Sequence, residues 1–287
     1  MHEVLDQISA GIADLSPQLR LAAKRVLDHP NEVAVSSMRA FAARTGVHPP
    51  TMMRLAKRLG FASYADFRLV FQNALVHTGE SFRDRASWLQ ELAVEKGDAA
   101  VAHGIAEAAS RNIAGFYSGL DMDAAIRIAD LLRRAPTSYV IAVSAFYWMG
   151  AYIQFLGRMA LPRLRLPRAN GTPLTEGLIS IERGDVALAI TASPYSRQTI
   201  QAAHFAKKRG ATLAVITDSR ASPLAAEADE LLLVPTTSPQ VFPSMIAITA
   251  AIETLIAIVV SRSDRATIDR ITELEQLRRR EGAYVEF

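Results

Sequence analysis

Two stretches of the 287-residue chain hold residues whose types and spacing could do chemistry. In the first, Thr51, Arg54, Lys57 and Arg58 fall within one short run, so a helix would set them along one face. Donors in such a row match the base edges and phosphates of a DNA major groove. In the second, Thr191, Ser193 and Ser196 place three hydroxyls between an apolar run and a helical one. Hydroxyls beside free helix N–H groups favour an anion such as phosphate. Serine and threonine also cap helices with no ligand involved, and the local sequence leaves both readings open.

The elements that must position the first group are two short helices and a turn. Met38, Phe41 and Ala42 share one side of a helix over 38–44. Gly46 supplies the positive φ of a sharp turn at no Cβ cost. Pro49 and Pro50 are tolerated only near a helix start, so a second helix begins there. Met52, Leu55 and Leu59 then face inward, Thr51, Arg54, Lys57 and Arg58 stay outside, and Gly60 ends the helix. This order predicts a helix-turn-helix in which Thr51 and Arg54 reach base edges and Lys57 and Arg58 reach phosphates. A helical hairpin with a solvated basic face fits the same periodicity.

Around that motif, residues 1–77 read as entirely helical. Ser16-Pro17 starts a helix carrying Leu19, Val26 and Leu27; residues 31–37 read as a joint; Tyr64, Phe67 and Phe71 close a small core. Packing is the reading favoured for Tyr64 over contact with the DNA backbone. The polar run 77–81 marks a boundary, and 82–120 reads as a helical link into a second domain. From 121 onward the pattern alternates. Short apolar strands at 139–143, 163–166, 186–190, 213–216 and 231–234 are separated by helices at 147–159, 174–181, 197–209 and 223–227. Such alternation predicts a parallel sheet covered on both faces, with ligands beyond the carboxyl ends of the strands. That selects the loops after Val143 and Ile190. Residues 246–260 are strongly apolar, but Glu253 interrupts them and they fall short of the ~20 residues of a membrane span. A buried helix is expected. Ile268, Ile271 and Leu277 mark a last amphipathic helix before Arg278-Arg279-Arg280; oligomer contact and a solvated end fit it equally.

Composition narrows the classes. The chain is half hydrophobic with a formal net charge of +3, a globular and mildly basic balance compatible with nucleic acid. Arg39, Arg44, Arg54, Lys57, Arg58 and Arg68 crowd the motif against Asp66 alone. The absence of cysteine excludes disulfides, thiolate metal sites and a cysteine nucleophile. No metal site and no cofactor are expected. The first residues lack the pattern of a signal peptide, so a cytoplasmic protein with no membrane contact is expected.

Val47-His48-Pro49-Pro50-Thr51-Met52-Met53-Arg54-Leu55-Ala56-Lys57-Arg58-Leu59-Gly60-Phe61, with Tyr64 and Phe67, resembles without a gap the recognition-helix signature of the RpiR family of bacterial transcription regulators. That signature is roughly V-S-P-A-T-V-V-R-F-A-R-R-L-G-F. His48 stands where the family has a serine cap, and histidine is the poorer cap. Residues 185–235 resemble the second half of a SIS, or sugar isomerase, domain. They carry Gly210-Ala211, Ile216-Thr217-Asp218, Ser222-Pro223-Leu224-Ala225 and Ala228-Asp229 in the family's order. RpiR regulators join these two parts.

The resemblance implies an all-α helix-turn-helix domain over 1–77, a helical link over 78–120, an α/β SIS domain over 121–265 and a C-terminal helix and tail over 266–287. The SIS domain is Rossmann-like, with a five-stranded parallel sheet and helices on both faces. It implies double-stranded operator DNA as partner, met by Arg39, Arg44, His48, Thr51, Arg54, Lys57 and Arg58. It also implies a phosphosugar or similar carbohydrate effector held by Thr191, Ser193 and Ser196, with Tyr195 adding a hydroxyl, Arg197 a permanent cation and Ser144 joining from the first loop. A homodimer or homotetramer that represses a sugar catabolic operon is expected. Two departures stand out. Pro194 replaces the family glycine, and Ser144-Ala145-Phe146-Tyr147-Trp148 replaces the glycine-rich G-x-G-S-S loop. The rings would fill space that glycine leaves open, or pack a dimer. The contrasting reading is a phosphosugar isomerase, with Glu253 and His204 as acid/base candidates.

Overall fold

The computed structural model describes residues 2–77, 82–168 and 172–283. The chain divides into two compact units: Met1–Glu107 with Thr237–Pro243, and Ala108–Thr236 with Ser244–Phe287.

The first unit is helical. It comprises α1 (His2–Gly11), α2 (Pro17–Asp28), α3 (Pro30–Val35), α4 (Met38–Thr45), α5 (Pro49–Arg58), α6 (Tyr64–His77), α7 (Phe82–Lys96) and the start of α8 (Asp98–Ser118). Its core is built on Val26, Phe41, Met52, Leu55, Phe67 and Phe71, all essentially without solvent exposure. The Phe67 ring lies 5.5 Å from Phe61 and 4.9 Å from Phe71, the spacing of favourable aromatic pairs. The joint expected over 31–37 is instead largely α3, begun by Pro30 in the first turn and inserting Val33 into the core. Val33, Ala34 and Val35 are consecutive in the six residues, which leaves no helical periodicity to read. Residues 78–81 of the expected polar boundary lie outside the described residues. Thr237–Pro243, which follows the sheet in sequence, clusters with this unit: the Phe82 and Phe242 rings are 4.9 Å apart, and Arg85 Nη1 donates to the Val241 carbonyl at 3.1 Å.

The second unit continues α8 and adds α9 (Met122–Arg134), β1 (Ser138–Ile141), α10 (Tyr147–Gly157), β2 (Leu164–Arg165), β3 (Val186–Ile190), α11 (Arg197–Lys208), β4 (Thr212–Thr217), β5 (Glu230–Leu233), α12 (Ile246–Ser261) and α13 (Arg265–Arg280). The five strands are all parallel in the order β2-β1-β3-β4-β5. Successive residues alternate between two buried faces, as the pleat demands. Val140, Leu188, Ile190, Ala214 and Ile216 meet α9, α10 and α12 on one side. Tyr139, Ile141, Ala187, Ala189, Leu213 and Val215 meet Ala202, Ala203 and Ala206 of α11 on the other. The apolar run at 246–260 is the buried α12, and no single helix among the described residues is long and apolar enough to cross a membrane.

Two expected helices shrink. Residues 174–181 form only a 3-10 turn over Leu174–Leu178, and 223–227 form consecutive turns closed by Ala225 N–H to Ser222 O and Ala228 N–H to Leu224 O. The five residues 223–227 leave room for little more than one helical turn.

Candidate DNA-binding face and effector pocket

The turn between α4 and α5 is built as the glycine spacing requires. The Ser37 hydroxyl caps α4, accepting from the Ala40 N–H at 3.2 Å. Gly46 then takes φ 72°, with its N–H on Ala43 O and the Val47 N–H on Ala42 O. Gly60, at φ 89°, ends α5 with the same paired closure, onto Lys57 O and Ala56 O. His48 opens α5 with no side-chain cap. The prolines explain why serine is dispensable there: Pro49 and Pro50 remove two of the orphan donors, and the Thr51 N–H already donates to His48 O at 2.8 Å. The His48 ring is left exposed.

Arg39, Arg54, Lys57 and Arg58 are exposed, and Arg39, Lys57 and Arg58 have no ion-pair partner among the described residues. Two expected contacts are placed differently. Thr51 is buried at 2 % exposure, so its side chain does not reach a groove; its hydroxyl instead accepts from Arg54 Nη2 at 3.2 Å and steadies that arginine. It sits one position before Met52, on the flank of the apolar face that packs inward. Arg44 is drawn toward the Arg25–Glu32 pair, with Nε 3.9 Å from Glu32 Oε1 and Nη2 donating to Ser36 Oγ. Tyr64 is core: burial pushes its phenol up to about 12, against the opposing pull of Arg68.

In the second unit the strand order reverses between β1 and β3, so their following loops flank the crevice of an open α/β sheet. The loop after β3 holds Thr191 at 1 % exposure with its hydroxyl lacking any partner among the described residues. Ser193 donates its N–H to Asp218 Oδ2 at 3.2 Å, and the Tyr195 hydroxyl donates to Asp218 Oδ1 at 2.9 Å. Burial first, then the Asp218 carboxylate, holds the Tyr195 phenol well above its ordinary value, so it remains a donor. Ser196 occupies the N-cap of α11 with no side-chain cap bond, and the exposed Arg197 opens the helix. Asp218 is thus the hub of the loop. Sequence reasoning read it only as part of a family pattern, because its partners lie 23 and 25 residues away.

On the neighbouring loop, Ser144 is exposed at φ 53°, a left-handed conformation that glycine adopts freely and serine holds at a cost of about 1–2 kcal/mol. The three rings, read as filling the glycine space or packing a dimer, go separate ways. Phe146 turns into the core, Tyr147 is half-buried beside the Arg168 guanidinium at 6.0 Å, and Trp148 is 68 % exposed. The acid/base candidates lie outside these loops. Glu253 accepts from the Tyr152 hydroxyl at 2.6 Å, and the exposed His204 pairs with Glu227 at 2.9 Å.

Comparison with known proteins matches both parts in order. A family model described as a helix-turn-helix domain of the rpiR family matches residues 2–77, and a SIS domain model matches residues 131–261. The chain belongs to the RpiR family. This RpiR member is therefore a helix-turn-helix transcription regulator with a SIS domain. It is 24 % identical over 228 residues to the HTH-type transcriptional regulator HexR of Pseudomonas aeruginosa, covering 78 % of this chain and 76 % of that one. The Vibrio vulnificus NanR protein, solved with ManNAc-6P, shares the fold with a TM-score of 0.58 and 20 % identity over 98 % of this chain and 100 % of that one. The sugar isomerase domain of an RpiR transcription factor from Sphaerobacter thermophilus gives a TM-score of 0.57 at 20 % identity, covering 60 % of this chain and 96 % of that one.

Proposed function

We propose that this regulator senses a phosphosugar in the crevice between β1 and β3, and that the bound sugar changes its affinity for operator DNA. The observation that carries the effector reading is the Thr191 hydroxyl, buried with no partner at the switch point of the sheet. A buried hydroxyl left unsatisfied costs about 1–3 kcal/mol, which a ligand oxygen would recover. Around it, the Ser193 and Ser196 hydroxyls, the first N–H groups of α11 and Arg197 supply donors and positive potential for a phosphate, with Ser144 facing from the other loop. Asp218 already engages the Ser193 N–H and Tyr195, so Tyr195 shapes the loop while the smaller hydroxyls meet the anion.

Thermal unfolding tests this directly, because a ligand bound only by the folded state raises the melting temperature by mass action. Sugar phosphates are expected to stabilise the protein, unphosphorylated sugars are not, and Ser193→Ala should lower the gain. Equal stabilisation of Ser193→Ala and wild type would move the pocket elsewhere.

On the DNA side, Arg39, His48, Arg54, Lys57 and Arg58 form the contact face, with Thr51 and Arg44 supporting it. A dimer would present two such faces to a two-fold operator, the usual arrangement for this motif. The chain acts in the cytoplasm as a sensor, commonly a repressor, and not as an isomerase. The exposed positions of Glu253 and His204, each engaged by one neighbour, support that reading.

Thr237–Pro243 offers a covalent route from sheet to helices, since it leaves β5 and leads into α12 while packing against α7. Phe242→Ala should therefore keep both effector and DNA affinity yet reduce their coupling. Comparing operator affinity with and without sugar phosphate checks this, and an unchanged ratio would remove the segment from the mechanism.

A further inference from the structure

At the amino ends of the strands, opposite the effector loops, the second unit contains a cleft of about 220 Å³. It is bounded by the end of α9, the starts of β1 and β2, and the first turn of α13. Arg133, Arg163 and Arg270 line it, against the single carboxylate of Asp264. That carboxylate accepts from both the Thr267 N–H and the Thr267 hydroxyl at 3.0 Å and is also stabilised by Arg133, so it offsets at most one of the three guanidinium charges. Arg133 gives Nη2 to Asp130 at 3.3 Å, but its Nε is buried with no acceptor among the described residues. Arg163 and Arg270 have no side-chain partner among the described residues. A buried guanidinium N–H without an acceptor is costly, and three arginines around one cleft repel one another beyond what the one Asp264 carboxylate neutralises.

We propose that this cleft is a second ligand site, for the phosphate group of a small molecule. Three guanidinium forks suit an anion with three or more oxygens, which phosphate supplies and a lone carboxylate does not. The volume falls below the roughly 300–1,000 Å³ of pockets for drug-sized ligands, so the occupant is inorganic phosphate or a phosphate bearing few further atoms. Ser138 and Leu164, which begin β1 and β2, and Leu132 and Ala135 around the end of α9 form the walls, so the site stands on rigid elements.

The test uses the full chain with Thr191→Val and Ser193→Ala combined, so that the effector loop is disabled, and inorganic phosphate as probe at constant ionic strength. Acetate is the two-oxygen control. Phosphate, and not acetate, is expected to raise the melting temperature of this variant. Adding Arg163→Ala and Arg270→Ala should weaken the apparent phosphate affinity at least tenfold. Both arginines reach solvent, and a melting curve without phosphate verifies that the variant folds. Arg270→Lys, which keeps the charge and loses the fork, should fall between. No phosphate shift in the loop-disabled protein would overturn the proposal, as would a full shift after both arginines are removed. With the effector loop intact, Arg163→Ala and Arg270→Ala alone should keep the sugar-phosphate change in operator affinity, so the two proposals fail separately.

Discussion

Replacing Arg54 by alanine is expected to weaken operator binding by about 1–3 kcal/mol and to relax base preference at one position of each half-site. Arg54 is exposed in the second turn of α5, where a recognition helix meets base edges, and its guanidinium is steadied by the buried Thr51 hydroxyl. Pre-positioning lowers the entropy lost when the side chain engages a base. Lys57→Ala should behave differently. An exposed lysine one turn further on meets phosphate, so its loss should weaken all sequences evenly and reduce the slope of log affinity against log salt by about 1. Titrating both variants against the selected operator and a scrambled duplex at several salt concentrations separates the two roles. Unchanged affinity for both would mean that α5 does not face the DNA.

The second large effect is a pair of opposite signs at one residue. Thr191→Val keeps the shape of a side chain that is 1 % exposed and removes its unpartnered hydroxyl. The free protein should gain about 1 kcal/mol of stability, because an unsatisfied buried group has been taken away. Sugar-phosphate affinity should fall roughly 10-fold or more, because the same hydroxyl is the donor the ligand would meet. A residue that is costly in the free protein and useful in the complex is a mark of a binding site. A Thr191→Val protein that is less stable, or that binds sugar phosphate as wild type does, would make the hydroxyl structural.

The helix-turn-helix was legible because its signals are local. Gly46, Pro49, Pro50 and Gly60 dictate backbone geometry on their own, and the structure uses each as its chemistry requires. The parallel sheet was equally plain, since strands buried on both faces must read as continuous apolar runs. What escaped depends on partners distant in sequence. Thr51 belongs to the polar face by count, yet the packing of α5 buries it. Phe146 follows a loop that seemed to face a ligand, and its ring enters the core. Asp185 accepts the N–H groups of Thr137 and Glu182, and Asp229 accepts that of Leu213, so both tie strand entrances together. The arginines of the second cleft come from three elements spread over 133–270, and no spacing rule joins them.

The proposed mechanism is linkage between a phosphosugar in the SIS domain and DNA on the helix-turn-helix face. The most direct test is a binding isotherm of the full chain on an operator selected from random duplexes. It would be repeated across a panel of sugar phosphates for the wild type and Thr191→Val. At least one sugar phosphate is expected to change wild-type operator affinity about 5- to 150-fold, the usual range of allosteric coupling, and Thr191→Val should keep operator affinity but require more ligand for the same change. Operator affinity that no sugar phosphate alters, in a protein that those compounds nevertheless stabilise, would contradict it.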